Sequence, residues 1–249
     1  MGGAGKVAVI TGASGAIGSA VAKRYADSGF ALVLNSHSRP ENCEAQVREI
    51  RAAGGKAVHH AGDVSSPGGA EAMTATAVRE FGGLDVLANI AGATVGGGDP
   101  ENLTAGDWDA AFTANFYTAV FCSQAALRQM SGRKGWIINT SSVRGLWSAG
   151  RPAIMAYSMA KAALVNYTST LAKSVGPDIL VNAVAPGFVW TPNYESMAPE
   201  LRDSFVQATT IKRFITPEEI ADSFLFLATT TCITGQTLVV DGGFSLITS

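Results

Sequence analysis

The sequence predicts a doubly wound α/β domain built on a seven-stranded parallel sheet, and three observations lead to that reading. Short β-branched apolar runs alternate along the chain with longer amphipathic stretches. Several of these runs are apolar at consecutive positions, as burial on both faces of a parallel sheet requires. Each run is followed by a helix-sized segment, so right-handed crossovers can build one continuous sheet with no interrupting linker or repeat. The chain of 249 residues is therefore read as a single domain, 1–249.

Composition narrows the function. With 47% hydrophobic residues, 15% charged and 28 glycines, the chain can bury a large core and turn its backbone tightly at many places. A net charge of −2 and no basic run longer than Arg133-Lys134 argue against nucleic acid or an anionic membrane as partner. No apolar run reaches the roughly 18 residues a membrane span needs, and no secretory leader precedes the first strand. Cys43, Cys122 and Cys232 lack any metal-ligand or disulfide spacing and are read as packing residues in a reducing, cytoplasmic setting. A small-molecule partner and the absence of a metal are expected.

The elements follow in order. The first strand, Lys6–Thr11, runs into Thr11-Gly12-Ala13-Ser14-Gly15-Ala16-Ile17-Gly18 and the helix Ser19–Asp27. A glycine-rich strand-to-helix turn lets backbone approach a pyrophosphate, and the helix N-terminus adds free N–H groups. The second strand, Ala31–Leu34, ends in Asn35-Ser36-His37-Ser38-Arg39, and the third, Ala57–His60, is followed by Asp63-Val64. The fourth, Leu84–Asn89, leads into Ile90-Ala91-Gly92. A long helix, Trp108–Met130, places Asn115 in an apolar stretch, where an amide competes with the backbone. After the fifth strand, Trp136–Thr140, Ser141 and Ser142 alternate in direction, so only one of them can face a site. On the next helix, Ala153–Val175, Tyr157 and Lys161 stand one turn apart on the same face. A cation beside a phenol favours phenolate and makes a tyrosine a usable proton donor near neutral pH. The sixth strand, Leu180–Ala185, opens onto a proline-bounded insertion, 192–216, placed to lie over the strands' carboxyl ends as a substrate lid. Leu238–Asp241 is the seventh strand.

Taken in order, these motifs resemble those of the short-chain dehydrogenase/reductase family, whose members share a Rossmann-type fold. The turn at Gly12 is similar to that family's TGxxxGxG turn, with Ala16 where the middle glycine usually stands. Asn89-Ile90-Ala91-Gly92 is similar to its Asn-Asn-Ala-Gly signature, and Asn115, Ser142, Tyr157 with Lys161, Pro186-Gly187 and Thr234-Gly235-Gln236 continue the series. The resemblance extends to 3-oxoacyl-carrier-protein reductases and small carbonyl reductases. It implies hydride transfer between a nicotinamide cofactor and a carbonyl or secondary alcohol. The implied roles are Tyr157 as general acid/base, Ser142 as hydrogen-bond donor, Lys161 as holder of the nicotinamide ribose and Asn115 as holder of a water in the proton path. Implied cofactor contacts come from Gly12, Ser14, Ile17, Gly18, Ser36, Ser38, Arg39, Asp63, Val64, Asn89, Ala91, Gly92, Tyr157, Lys161, Pro186, Gly187, Val189 and Thr191. The usual Ser-to-Tyr separation would land on Arg144; alignment on Thr140-Ser141-Ser142-Val143 selects Ser142, with Ser141 in reserve, and lengthens the loop Gly145–Met155 by two residues.

No carboxylate stands at Ser36 to accept from a ribose 2′-OH, whereas Ser36, Ser38 and Arg39 can bind a phosphate. NADP(H) is therefore expected over NAD(H). Tyr194, Met197, Leu201 and Phe205 of the lid, with Trp147, Trp190 and Met155, suggest an apolar or aromatic substrate pocket. The two long helices are apolar enough to suggest a homo-oligomer, with a tetramer preferred. The rival readings are alcohol, polyol or sugar oxidation by the same residues, and a cofactor-binding regulatory protein without chemistry.

Overall fold

The computed structural model describes residues 3, 5–146 and 149–246. Trp147 lies outside that set. Seven parallel strands, β1 (Val7–Ile10), β2 (Ala31–Ser36), β3 (Lys56–Ala61), β4 (Val86–Asn89), β5 (Gly135–Thr140), β6 (Ile179–Pro186) and β7 (Thr237–Val240), form one sheet in the order 3-2-1-4-5-6-7. All seven expected strands are present, shifted by at most two residues at either end. Their consecutive apolar residues divide by side-chain alternation between two cores. Ala8, Ile10, Leu32, Leu34, Val86 and Ala88 face α1 (Ala16–Asp27), α2 (Pro40–Ala52) and α8 (Pro217–Thr229), whereas Val7, Val9, Val33 and Leu87 face α3 (Pro67–Phe81) and α5 (Thr118–Gln129).

Local chemistry sets several boundaries. Ser66 caps α3 through its hydroxyl to the Gly69 N–H, with Pro67 in the first turn and Gly82 in the left-handed conformation (φ 80°) at its end. Thr104 and Asp107 form a capping box on α4 (Ala105–Phe112), and Thr216 and Glu219 form another on α8. The single long helix expected over Trp108–Met130 is broken into α4 and α5 by a π turn at Thr113–Tyr117. The cause is side-chain competition for backbone: Asn115 donates to the Ala111 carbonyl and Thr118 to the Thr113 carbonyl. Helix α6 (Met155–Val175) runs unbroken beside it, and α7 (Pro199–Gln207) lies in the insertion after β6. Cys43 and Cys122 are packed as expected, but Cys232 is exposed because it follows α8 in the loop leading to β7. No helix among the described residues is long and apolar enough to cross a membrane.

Polar side chains cross the middle of this sheet in a hydrogen-bonded chain, with Asn89 Oδ1 buried and without a partner among the described residues. Asn89 donates to Asn139 Oδ1 at 2.9 Å, Asn139 to Thr168 at 3.0 Å, and Thr168 to the Leu164 carbonyl at 2.8 Å, tying β4 and β5 to α6. Asn139→Ala removes two buried hydrogen bonds, while Asn89 Nδ2 keeps Ser123 and Thr168 keeps the Leu164 carbonyl. Unfolding free energy is expected to fall by about 2 kcal/mol, measured by urea denaturation against the unsubstituted protein.

Candidate active site

The strand order reverses between β1 and β4, and the loops leaving those two strands open a crevice at the carboxyl edge of the sheet. Two adjoining clefts of about 680 and 570 Å³ occupy this edge, and both are lined by Ile17, Ile90, Gly92 and Thr191.

The first cleft is shaped by close backbone approach. Gly12 has φ +65°, and a Cβ there would stand 2.8 Å from the Ala91 Cα; one at Gly18 would stand 2.8 Å from the Ala13 Cα. Thr11 locks the two loops together, its hydroxyl accepting from the N–H groups of Ile90 at 2.9 Å and Ala91 at 3.0 Å. Gly15 is the N-cap of α1 and no side chain caps that end, so its first-turn N–H groups face the cleft without a side-chain partner. Ser14, Ser38, Arg39, Asp63, Val64, Ala91 and Gly92 line the same space. A dinucleotide fits this arrangement. The uncapped helix end and glycine turn match a pyrophosphate, and Asp63 holds an ionised carboxylate toward the far end. The backbone and side-chain hydrogen bonds of Ser65 keep that carboxyl below its ordinary range.

Two of the expected contacts are redirected. Ser36 is fully buried with its hydroxyl 2.9 Å from His59 Nε2, because strand alternation turns it toward β3 and α2 instead of the cleft. Asn89 is likewise turned away, with its amide donating to Ala119, Ser123 and Asn139, so only the residues after it line the crevice. His37, which sequence reasoning passed over, takes the place expected for Ser36. Alternation from the buried residues of β2 was the signal that could have found it.

The second cleft gathers Asn115, Ser142, Tyr157, Lys161, Pro186, Gly187, Val189 and Thr191. Of the two serines, Ser141 donates to the Lys161 carbonyl at 3.0 Å, while Ser142 lines the cleft with Tyr157, its Oγ accepting from the Arg144 N–H at 3.1 Å and its hydroxyl favouring the phenolate. The Lys161 Nζ donates to the Thr140 carbonyl at 2.7 Å and lies 5.8 Å from the centre of the Tyr157 ring. Asn115 clamps the loop after β4: its Nδ2 donates to the carbonyls of Ala93 at 2.8 Å and Ala111 at 3.0 Å, and its Oδ1 accepts from the Ala93 N–H at 3.2 Å. Both amide hydrogens are thus engaged by protein, so the water that the resemblance assigns to Asn115 would be held through an oxygen. Phe188, Tyr194, Met197 and Phe205 form an apolar wall. Phe188 stacks on Phe205 at 4.7 Å. Trp190 packs on Tyr194 and Phe214 behind that wall, Met155 lines a neighbouring groove, and Leu201 is exposed.

Burial raises the Tyr157 phenol, and the Ser142 hydroxyl and the Arg144 charge act against it. Arg144 was passed over in the sequence because a serine was sought at its position; the lengthened loop beside it was the available signal. Burial draws the Lys161 ammonium down to about 7. An unfolded lysine keeps its proton to roughly pH 10. The unfolded chain therefore binds more protons between about pH 7 and 10, and stability rises with pH across that window. Without cofactor, the melting temperature is expected to climb between pH 7 and 9, with a shallower slope in Lys161→Met; equal slopes would contradict the buried amine.

Comparison with known proteins agrees with this geometry. A family model described as enoyl-(acyl carrier protein) reductase matches residues 12–245. The chain is 40% identical to the short-chain reductase protein NovJ of Streptomyces niveus, over 95% of this chain and 93% of that one. A short-chain dehydrogenase/reductase from Serratia marcescens superposes with a TM-score of 0.91 at 34% identity, covering 97% of this chain and 98% of the other. A short-chain dehydrogenase from Burkholderia cenocepacia in complex with NADP gives 0.89 at 30% identity, with coverage of 97% and 98%. The coverage extends through the glycine cradle, the serine and tyrosine hydroxyls and the buried lysine alike, and the chain belongs to the short-chain dehydrogenase/reductase family of NAD(P)-dependent oxidoreductases.

Proposed function

We propose that the protein reduces a carbonyl group on an apolar or aromatic small molecule, with Tyr157 as the proton donor. The observation that carries this reading is the pair of hydroxyls, Ser142 and Tyr157, that line one cleft where its apolar wall adjoins the glycine-cradled cleft. A bound nicotinamide supplies the hydride. The chain's own residues do the rest. Ser142 donates to the substrate oxygen and holds it against Tyr157, so that two donors face the position where negative charge develops. Tyr157 gives its proton to that oxygen, helped by the Arg144 charge, which favours the phenolate left behind. Lys161, anchored on the Thr140 carbonyl, keeps donors for ribose hydroxyls and returns a proton to the phenol. Asn115 holds the Gly92–Ala93 backbone against this group; a Cβ at Gly92 would stand 2.7 Å from its Oδ1. The reverse reaction, oxidation of an alcohol, uses the same residues.

NADP(H) is the proposed cofactor in preference to NAD(H). Its support is the end of β2, where exposed His37, Ser38 and Arg39 line the first cleft with no carboxylate among them. A homo-oligomer, preferentially a tetramer, belongs to the same proposal, supported by exposed Tyr117 and Met159 on the neighbouring helical elements.

Two experiments test this reading. Tyr157→Phe keeps the ring and removes the acid; kcat is expected to fall by about a hundredfold or more, while NADPH still binds by nicotinamide fluorescence. Retained turnover would remove Tyr157 from the mechanism. Separately, kcat/KM should favour NADPH over NADH, and Arg39→Ala should reduce that preference by about tenfold. A wild-type preference for NADH refutes the cofactor assignment.

A further inference from the structure

Two arginines enter the second cleft that the reaction itself leaves without a ligand. Arg144 lies in the short turn that follows Ser142, and Arg151 stands at the other end of the lengthened loop. No aspartate or glutamate among the described residues lines this cleft. Among the described residues, neither arginine is paired with a carboxylate.

Arg144 is held in place, unlike a solvated surface arginine. Its Nη1 donates to the Ala149 carbonyl at 3.1 Å, and its guanidinium lies 4.8 Å from the ring centre of Phe244 and 5.5 Å from that of Phe188. The remaining guanidinium donors have no partner among the described residues. Burial and the neighbouring Arg151 charge both weaken the guanidinium's hold on its proton, while the Tyr157 and Tyr194 phenols act in the opposite direction. Two cations close together in a half-buried wall are unfavourable until an anion reaches them. The same guanidinium acts electrostatically on Tyr157, so an anion bound to it belongs to the molecule whose carbonyl is being reduced.

We propose that this cleft selects oxo acids. The carbonyl sits between Ser142 and Tyr157, the carboxylate pairs with Arg144, Arg151 closes over it from the exposed rim, and the apolar remainder lies on Phe188 and Phe205. This inference rests on the reductase reading given above. A carboxylate matches the planar fork of the arginine that is fixed. Reduction then converts the oxo acid to a hydroxy acid: the carbonyl carbon gains the hydride of the reduced nicotinamide, its oxygen gains the Tyr157 proton, and the carboxylate is unchanged.

The test compares acids with their own neutral esters. Benzoylformate and 3-benzoylpropionate, each with its methyl ester, place the carboxylate at two distances from the ketone. In the wild-type holoenzyme, kcat/KM is expected to favour the acid in at least one pair. Arg144→Leu should lower that acid-to-ester ratio by about ten- to a hundredfold, the range of a charge-assisted hydrogen bond, and Arg144→Lys should recover part of it. The ratio within one variant is the readout, because loss of Arg144 also alters Tyr157 and slows both members of a pair. A measurement free of turnover accompanies it: phenylacetate and phenylacetamide are titrated against the tryptophan fluorescence of the cofactor-bound Tyr157→Phe protein. Phenylacetate should bind about tenfold more tightly, and Arg151→Gln should diminish this preference even if Arg144→Leu fails to fold. Equal affinity for acid and amide, or an acid-to-ester ratio unmoved by Arg144→Leu, overturns the proposal. Preference for phenylacetate with no ketone reduced supports the anion site and overturns the reductase reading instead.

Discussion

The arrangement of the site depends on how closely α6 lies against the end of β5. Lys161 is gripped there on several sides. Its Nζ donates to the Thr140 carbonyl, its own carbonyl accepts from Ser141, and a Cβ at Gly145 would stand 2.6 Å from its carbonyl carbon. An ammonium buried this way loses much of its hydration, so burial brings its pKa close to neutrality. The same approach leaves Ser142, the next residue along, as the hydroxyl that faces Tyr157. A looser contact between helix and strand would free the lysine and separate the two hydroxyls together.

A second close approach joins the two clefts. Thr11 bonds the backbone after β4, and only glycine at position 12 lets the first turn pass Ala91. Asn115 then clamps the next stretch of the β4 loop to the π turn between α4 and α5. The loop after β4 is consequently held from the cofactor side by a threonine and from the substrate side by an asparagine. That shared wall is what brings a glycine cradle and a pair of hydroxyls within reach of one substrate, which neither the fold nor the hydroxyls would accomplish alone.

The electrostatics of the substrate side come from the loop after β5. Arg144 is anchored by the Ala149 carbonyl and two aromatic faces, and its positive charge favours the Tyr157 phenolate. A cation that acts on the general acid and also borders the substrate cleft couples proton donation to what occupies that cleft. The aromatic wall of Phe188, Tyr194 and Phe205 completes a cleft in which Arg144 and Arg151 face apolar surface.

Much of this was legible in the chain, because some properties are local. Consecutive apolar residues announced buried parallel strands, the glycine spacing marked the turn after β1, and helical spacing placed Tyr157 and Lys161 on one face. Those are consequences of backbone periodicity and the absence of a Cβ. Direction across long sequence separations was not legible. Whether Ser36 met the cleft or His59, and whether Asn89 reached the crevice or Asn139, depended on partners tens of residues away. The long helix over residues 108–130 was interrupted where Asn115 and Thr118 took the Ala111 and Thr113 carbonyls, and Asn115 also reached the β4 loop. The sequence by itself determined the strands, the turn and the residues available for chemistry; only tertiary packing decided which side chains face one another, since hydrogen bonding and desolvation act through space between groups that the chain brings together last.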